Sequence, residues 1–250
     1  MKIGGIIDIS TKDIPNKAAT VIFTGGCNFK CNFCHNKSIL QSNVGNYYTI
    51  DELVTRIKNN VLVNSVSISG GEPTLQEDLI DFCKELSKTG KFISLDTNGS
   101  NPEVIKELIP YINRIALDIK TALICKKIER IIGLKIDPEI IIKTYNIINQ
   151  CKEIEFEIRT TYVENLFTPK DIHEIILFLR DRNFSGNYVL QQYQYSNGVG
   201  EEFKDKFRKP NHFHLLNILK PFKDVILPFK LYLRDDLFGY SNVIDCFYSN

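Results

Sequence analysis

Cys27, Cys31 and Cys34 lie in one short run, Gly25-Gly26-Cys27-Asn28-Phe29-Lys30-Cys31-Asn32-Phe33-Cys34-His35-Asn36, with the spacing C-x3-C-x2-C. An iron–sulfur cluster or a structural zinc ion ordinarily takes four ligands, and no fourth cysteine is near. Three thiolates on a cluster leave one metal corner open, where a small molecule can bind and react. The zinc reading needs a fourth ligand. His35 adjoins Cys34, and the two would have difficulty reaching one tetrahedral ion, so that ligand would have to be distant. Glycines ahead of Cys27 let the backbone turn tightly and approach a bound group.

A second run, Ser69-Gly70-Gly71-Glu72-Pro73, comes after a strand-like segment. A double glycine can be a plain turn. After the second strand of a repeated β/α unit, however, it lies at the same sheet edge as the cysteine loop. There the glycines permit close approach of a ligand, and the carboxylate can grip an amino group.

The elements that must position these residues alternate. Strands are expected at 20–24, 65–69, 92–96, 114–119, 155–160 and 187–192. Thr49 with Glu52 and Thr74 with Glu77 read as capping boxes, each opening a helix. Asn101-Pro102, Asp137-Pro138 and Thr168-Pro169 read as further helix starts. Ile50, Leu53, Val54, Ile57 and Val61 form an apolar stripe, as do Leu75, Leu79, Phe82, Cys83 and Leu86. A third comprises Ile140, Ile141, Ile147 and Ile148, and a fourth Ile172, Ile175, Ile176 and Leu179. Alternating strands and helices imply an α/β fold with a parallel sheet. The strands end in Ser69, Asp96, Asp118, Arg159 and Gln192, and five polar ends suggest a shared site at the carboxyl edge. A doubly wound open sheet and a closed eight-stranded barrel are the alternatives. After Tyr195 the rhythm breaks. A basic helix face (Lys204, Lys206, Arg208, Lys209), a helix near 211–219 and a strand at 225–233 read as a C-terminal extension.

The chain has 250 residues, 43% hydrophobic and 24% charged, and a net charge of +1. That composition is globular, and the charge favours neither nucleic acid nor an acidic partner. No run approaches the ~18 apolar residues of a membrane span, and the N-terminus lacks the apolar core of a signal peptide. Seven cysteines, three in one motif, suit a reducing cytoplasm and a metal site rather than a disulfide framework. Cys83 and Cys151 fall at apolar helix positions and are expected to be packing residues.

The cysteine triplet after strand one, with Gly70-Gly71-Glu72 after strand two, resembles the radical S-adenosylmethionine (SAM) enzymes. Among these the chain is similar to the activating enzymes of glycyl radical enzymes. The segments Gly4-Gly5-Ile6-Ile7-Asp8-Ile9-Ser10-Thr11, Cys34-His35-Asn36, Gly70-Gly71-Glu72-Pro73-Thr74-Leu75-Gln76, Asp96-Thr97-Asn98-Gly99 and Asp118-Ile119-Lys120 carry that likeness over residues 3–192. The compact, single-cluster activators of anaerobic ribonucleoside-triphosphate reductase look nearest, then those of pyruvate formate-lyase.

The resemblance implies a partial (β/α)6 TIM-like barrel over residues 1–194, with residues 195–250 packed on the same domain. It implies a [4Fe-4S] cluster held by Cys27, Cys31 and Cys34, with SAM on the fourth iron. Phe33 and His35 would touch the adenosine, and Gly70, Gly71 and Glu72 would orient the methionine amino group. Asp96, Asn98, Asp118, Lys120, Arg159 and Gln192 would line SAM or the substrate glycine. One electron from the cluster would split SAM, and the adenosyl fragment would take a Cα hydrogen from a glycine of a partner enzyme. A flavodoxin or ferredoxin would supply the electron, in an anaerobic cytoplasm.

Pro15-Asn16 stands where the family often has Pro-Gly. The competing enzyme reading is a small-molecule radical SAM enzyme such as a 7-carboxy-7-deazaguanine synthase, against which Cys34-His35-Asn36 counts. A non-catalytic metal-binding module acting through its basic patch, for instance on nucleic acid, would leave Gly70-Gly71-Glu72 without a role.

Overall fold

A computed structural model describes residues 1–41, 44–195 and 206–248. The chain divides into two compact units, one of residues 1–28, 36–117 and 139–156, the other of 29–35, 118–138 and 157–250.

The first unit opens with β1 (Lys2–Ile14), which turns back on β2 (Lys17–Thr24) as an antiparallel hairpin. The turn puts Asn16 at a φ of 60°, a left-handed conformation that asparagine tolerates, so the missing glycine costs little. The short β3 (Asn46–Tyr47) pairs with the outer side of β1. Then come α1 (Ile50–Asn59), β4 (Ser65–Gly70), α2 (Leu79–Ser87), β5 (Phe92–Thr97), α3 (Pro102–Leu108) and β6 (Arg114–Asp118). Strands β2, β4, β5 and β6 are parallel, and the order is β3-β1-β2-β4-β5-β6.

The second unit carries α4 (Cys125–Ile132), β7 (Glu155–Tyr162, its first two residues belonging to the first unit), α6 (Pro169–Asp181) and β8 (Asn187–Gln192). The intervening α5 (Pro138–Asn149) belongs, apart from Pro138, to the first unit. After β8 come α7 (His212–Leu219), β9 (Lys230–Asp235), β10 (Gly239–Asn242) and α8 (Val243–Tyr248). Strands β7, β8 and β9 are parallel and β10 is antiparallel to β9. Among the described residues, no helix is long and apolar enough to cross a membrane.

The six strands expected from sequence are β2 and β4 to β8. The capping boxes at Thr49 and Thr168 are both formed. Ile172, Ile175, Ile176 and Leu179 are fully buried, each worth about 2 kcal/mol of transfer free energy.

Several expectations need correction. The capping box at Thr74 does not form. The Thr74 hydroxyl donates to Glu72 instead, Pro73–Leu75 makes a single 3-10 turn, and α2 starts only at Leu79. Leu75 therefore stays exposed, as does Val61, which lies beyond the end of α1. On α5 the buried face is Ile141, Ile142, Tyr145 and Ile148, while Ile140 is exposed. The strand expected at 225–233 begins only at Lys230, because Pro228 has no N–H for a sheet ladder. Of the basic cluster, Lys204 lies outside the described residues. Lys206, Arg208 and Lys209 are not helical: Arg208 bridges Glu164, and the Lys209 ammonium sits 2.5 Å from Asp236. Cys83 is buried, and burial pushes its thiol up to about 12; Cys151 is half-buried just after α5. Five elements are not anticipated by the sequence pattern: β1, β3, α4, β10 and α8. In α4 the signal is present, since Ile128, Ile131 and Ile132 repeat at helical spacing and are buried.

Candidate functional site

In the first unit the two glycine runs interlock. The Gly71 N–H donates to the Thr24 carbonyl at 3.0 Å, and the Glu72 N–H to the Gly26 carbonyl at 2.8 Å. Gly70 has a φ of 120°, and a Cβ there would lie 2.3 Å from the Thr24 nitrogen. A Cβ on Gly71 would lie 1.8 Å from the Gly26 oxygen. The loop after β4 is thus laid directly against the turn that leads into Cys27, and only glycine allows that approach. The Asn36 amide adds a 3.0 Å bond to the Gly70 carbonyl. In the sequence Asn36 is only one member of a motif; its position just after the cysteine run is the available signal.

Glu72 is 1% exposed. One carboxylate oxygen accepts from the Thr74 N–H at 3.2 Å, the Thr74 hydroxyl at 2.7 Å and the Thr97 hydroxyl at 2.8 Å. The other accepts from the Asn98 N–H at 2.7 Å. Three donors thus crowd one carboxylate oxygen, while the other accepts one and keeps a second acceptor site. The geometry makes Glu72 a brace between the ends of β4 and β5. Burial pushes its carboxyl above the usual range, against the pull of the Asn98, Thr74 and Thr97 donors. The folded chain holds this proton more tightly than the unfolded one, so Glu72 costs stability as pH rises from the ordinary value toward the raised one. A Glu72→Gln protein presents an amide N–H to the Asn98 N–H, where an oxygen accepted before. It is expected to lose about 1–3 kcal/mol in urea unfolding. A variant as stable as the parent would remove Glu72 from the bracing role.

At the end of β5, Asp96 faces the buried Arg114 guanidinium at 3.9 Å, and Arg114 also donates to Ser94 at 2.7 Å. Asn98 donates from its amide to Asn28 at 2.9 Å and to the Cys27 sulfur at 3.9 Å. Arg114 and Asn28 are neighbours that sequence reasoning misses. Arg114 sits at a strand start, where a charge reads as solvated.

In the second unit, Cys31 and Phe33 are buried and Cys34 is half-buried. The run is anchored by the Lys30 N–H donating to the Ile132 carbonyl of α4 at 2.8 Å, and by a Cys34 N–H to Cys31 carbonyl turn of 3.2 Å. The Phe33 ring meets Phe167 edge-on at 6.0 Å, and the exposed His35 ring lies 5.3 Å from Tyr193. Nothing in the sequence pattern singles out Tyr193 or Phe167.

Asp118, at the end of β6, receives Lys120 at 3.0 Å and Arg159 at 3.2 Å. Two cations around one carboxylate suit a carboxylate-bearing ligand. Burial would raise the Asp118 carboxyl, but Lys120 and Arg159 outweigh it and hold it below the ordinary 3.8. Burial likewise opposes the Lys120 charge, and Asp118, followed by the Cys31 sulfur, raises it well above the usual lysine value. All three groups are therefore charged at neutral pH. The depressed Asp118 value stabilises the fold fully above pH ~4, and that stabilisation is lost as pH falls through the lowered value. Stability measured between pH 5 and 3 is expected to fall less steeply in Asp118→Asn than in the parent; parallel curves would contradict the pairing.

Gln192 is buried and committed to the chain after β8. Its amide donates to the Pro210 carbonyl at 2.7 Å, and its oxygen accepts from the Asp236 N–H at 3.0 Å and from the Gln194 amide.

The donor chemistry fits a cluster: Cys27, Cys31 and Cys34 are cysteines in no disulfide, on one short run. Among the described residues, no three His, Cys, Asp or Glu side chains are grouped to hold a single metal ion.

The sequence pattern of the radical SAM superfamily matches residues 21–183. A Methanocaldococcus jannaschii protein provisionally named a glycyl-radical enzyme activating enzyme is 37% identical over 211 residues, covering 81% of this chain and 84% of that one. Streptococcus suis SuiB bound to precursor peptide SuiA superposes with a TM-score of 0.68 at 20% identity, over 92% of this chain. This chain spans only 50% of that protein's length. A domain of a Bacteroides vulgatus pyruvate-formate lyase-activating enzyme gives a TM-score of 0.53 at 19% identity, over 67% of this chain and 98% of that domain. The structural likenesses show the fold, the partial α/β barrel of radical SAM enzymes. By sequence match and fold together, the chain belongs to the radical SAM superfamily, as an enzyme whose cofactors are a [4Fe-4S] cluster and SAM.

Proposed function

We propose that this enzyme installs a glycyl radical on a partner enzyme. The observation that carries the reading is the 37% identity, over most of both chains, to the M. jannaschii protein named for that activity. The motif set Cys34-His35-Asn36, Asp96-Thr97-Asn98-Gly99 and Asp118-Ile119-Lys120 supports it. The partner is an anaerobic ribonucleotide reductase or a pyruvate formate-lyase-like protein, the donor is a flavodoxin or ferredoxin, and the setting is an anaerobic cytoplasm.

Cys27, Cys31 and Cys34 would hold the cluster, which when bound supplies the electron that cleaves SAM, whose adenosyl fragment takes a hydrogen atom. The protein's part is to bind, orient and exclude water. Phe33 and His35 would contact the adenosine. Backbone groups of Gly70, Gly71 and Glu72 would orient the methionine amino group, Glu72 keeping that backbone in place. Lys120 and Arg159 would attract a carboxylate, with Asp118 fixing their direction. Asp96 and Asn98 would shape the adjoining strand end, and Gln192 would tie β8 to the C-terminal segment. Residues 1–194 would carry this chemistry, with 195–250 as an extension of the same domain; the parallel pairing of β9 on β8 supports that arrangement.

The test is anaerobic. The reconstituted protein is reduced with dithionite and given SAM and a candidate glycyl radical enzyme. Formation of 5′-deoxyadenosine with a glycyl radical signal on the partner is the expected result. Formation of 5′-deoxyadenosine without a radical on any glycyl radical enzyme from the same cell would point to a small-molecule substrate.

A further inference from the structure

We propose that Asn98 is a positioning residue for the cluster, acting on the Cys27 thiolate through an N–H to sulfur hydrogen bond that raises the reduction potential. The inference rests on the cofactors of the family and not on the identity of the partner enzyme.

The backbone N–H and both side-chain polar atoms of Asn98 have partners. Its backbone N–H donates to Glu72 at 2.7 Å, and its side-chain oxygen accepts from the Ser100 N–H at 2.9 Å. The second bond fixes which end of the amide is which, because only oxygen can accept there. The amide nitrogen is thereby turned toward the cysteine loop, 2.9 Å from the Asn28 oxygen and 3.9 Å from the Cys27 sulfur. Two N–H groups serve two acceptors.

The surroundings hold that amide still. Asn98 is 5% exposed. Its neighbour Thr97 donates to Glu72 at 2.8 Å and accepts from the Gly99 N–H at 3.1 Å. Gly99 has a φ of 77°, its carbonyl accepts from Thr144 at 2.7 Å, and a Cβ would lie 2.6 Å from the Leu117 side chain. Asn28 is itself held by Ser100 at 2.8 Å. The turn after β5 is therefore a rigid platform that aims a donor at the first cysteine. Hydrogen bonds to ligating sulfur stabilise the more negative, reduced cluster, and such outer groups also orient the ligand.

The test is a redox titration of the reconstituted protein, read by electron paramagnetic resonance. Asn98→Asp keeps the shape and the acceptor toward Ser100 but replaces the donor with an oxygen. It is expected to retain the cluster, move the midpoint to a more negative potential and alter the g-values of the reduced cluster. Asn28→Ala removes an exposed side chain, frees the Asn98 amide to swing, and is expected to shift the midpoint in the same direction by less. Unchanged potential and spectrum in an iron-replete Asn98→Asp protein would overturn the proposal. Should that variant fail to hold iron, the Asn28→Ala protein decides: a negative shift supports the bond and an unchanged midpoint overturns it. Because neither readout uses a partner enzyme, failure here is distinct from failure of the glycyl radical assignment.

Discussion

The Cys31→Ala protein is expected to carry little or no iron–sulfur cluster after anaerobic reconstitution and to form no 5′-deoxyadenosine above background. In the proposed site Cys27, Cys31 and Cys34 would be the three thiolate ligands, and the open fourth corner would take SAM. Losing one of three ligands leaves two corners open to solvent. The side chain is 6% exposed, and its near neighbours in the chain, Phe29 and Phe33, are buried too. Alanine fills most of that space, so the fold is expected to survive with a loss of roughly 1 kcal/mol. The loss of activity then cannot be charged to unfolding. Iron content, circular dichroism and product formation on the same sample separate the two. A folded Cys31→Ala protein that still cleaves SAM would refute the cluster assignment, and a colourless parent protein holding zinc would favour a binding module.

Gly71→Ala is expected to be the most damaging single-methyl change at the site. The added Cβ would lie 1.8 Å from the Gly26 oxygen and 3.3 Å from the Cys27 nitrogen, both backbone atoms. No side chain can rotate away to relieve that contact. Either the loop after β4 lifts off or the turn into Cys27 moves, and both break the Glu72 to Gly26 hydrogen bond of 2.8 Å. A destabilisation near the upper end for overpacking, about 3 kcal/mol, is expected in urea unfolding. Iron retention should fall with it, because the displaced turn leads into Cys27, the first of the proposed ligands. Gly90→Ala is the control: Gly90 has a positive φ, 72°, but open space around its Cβ. It should cost about 1 kcal/mol and leave the cluster untouched. Equal iron retention in Gly71→Ala and the parent would show that the two loops are not mechanically joined.

The six parallel strands and four helix starts, at Thr49, Asn101-Pro102, Asp137-Pro138 and Thr168-Pro169, are legible because each is encoded locally. Thr49 with Glu52 and Thr168 with Asp171 close their boxes within three residues, whatever else the chain does. Thr74 with Glu77 has the same spacing and fails, because the Thr74 hydroxyl finds a carboxylate at Glu72, only two residues back, that Thr97 and Asn98 also hold. Strand β1 is invisible as a strand because much of it is exposed, which blurs the alternation that marks a half-buried strand. Pro228 delays β9 for a reason present in the sequence itself, the missing N–H.

By itself, the sequence determined the cysteine spacing, the runs of glycines and the succession of the six parallel strands β2 and β4 to β8 along the chain, since spacing along a chain is a local property. Tertiary structure alone decided what the polar strand ends do. Glu72 and Gln192 read as ligand contacts from sequence, and the fold gives them protein partners as well, Thr74, Thr97 and Asn98 in one case and Pro210, Gln194 and Asp236 in the other. Asn98 reads as one more strand-end polar residue, yet its amide is turned to the Cys27 sulfur 71 positions away. A side chain's chemistry is fixed by its type, but its partner is fixed by which distant backbone arrives within hydrogen-bonding reach, and only packing brings that backbone there.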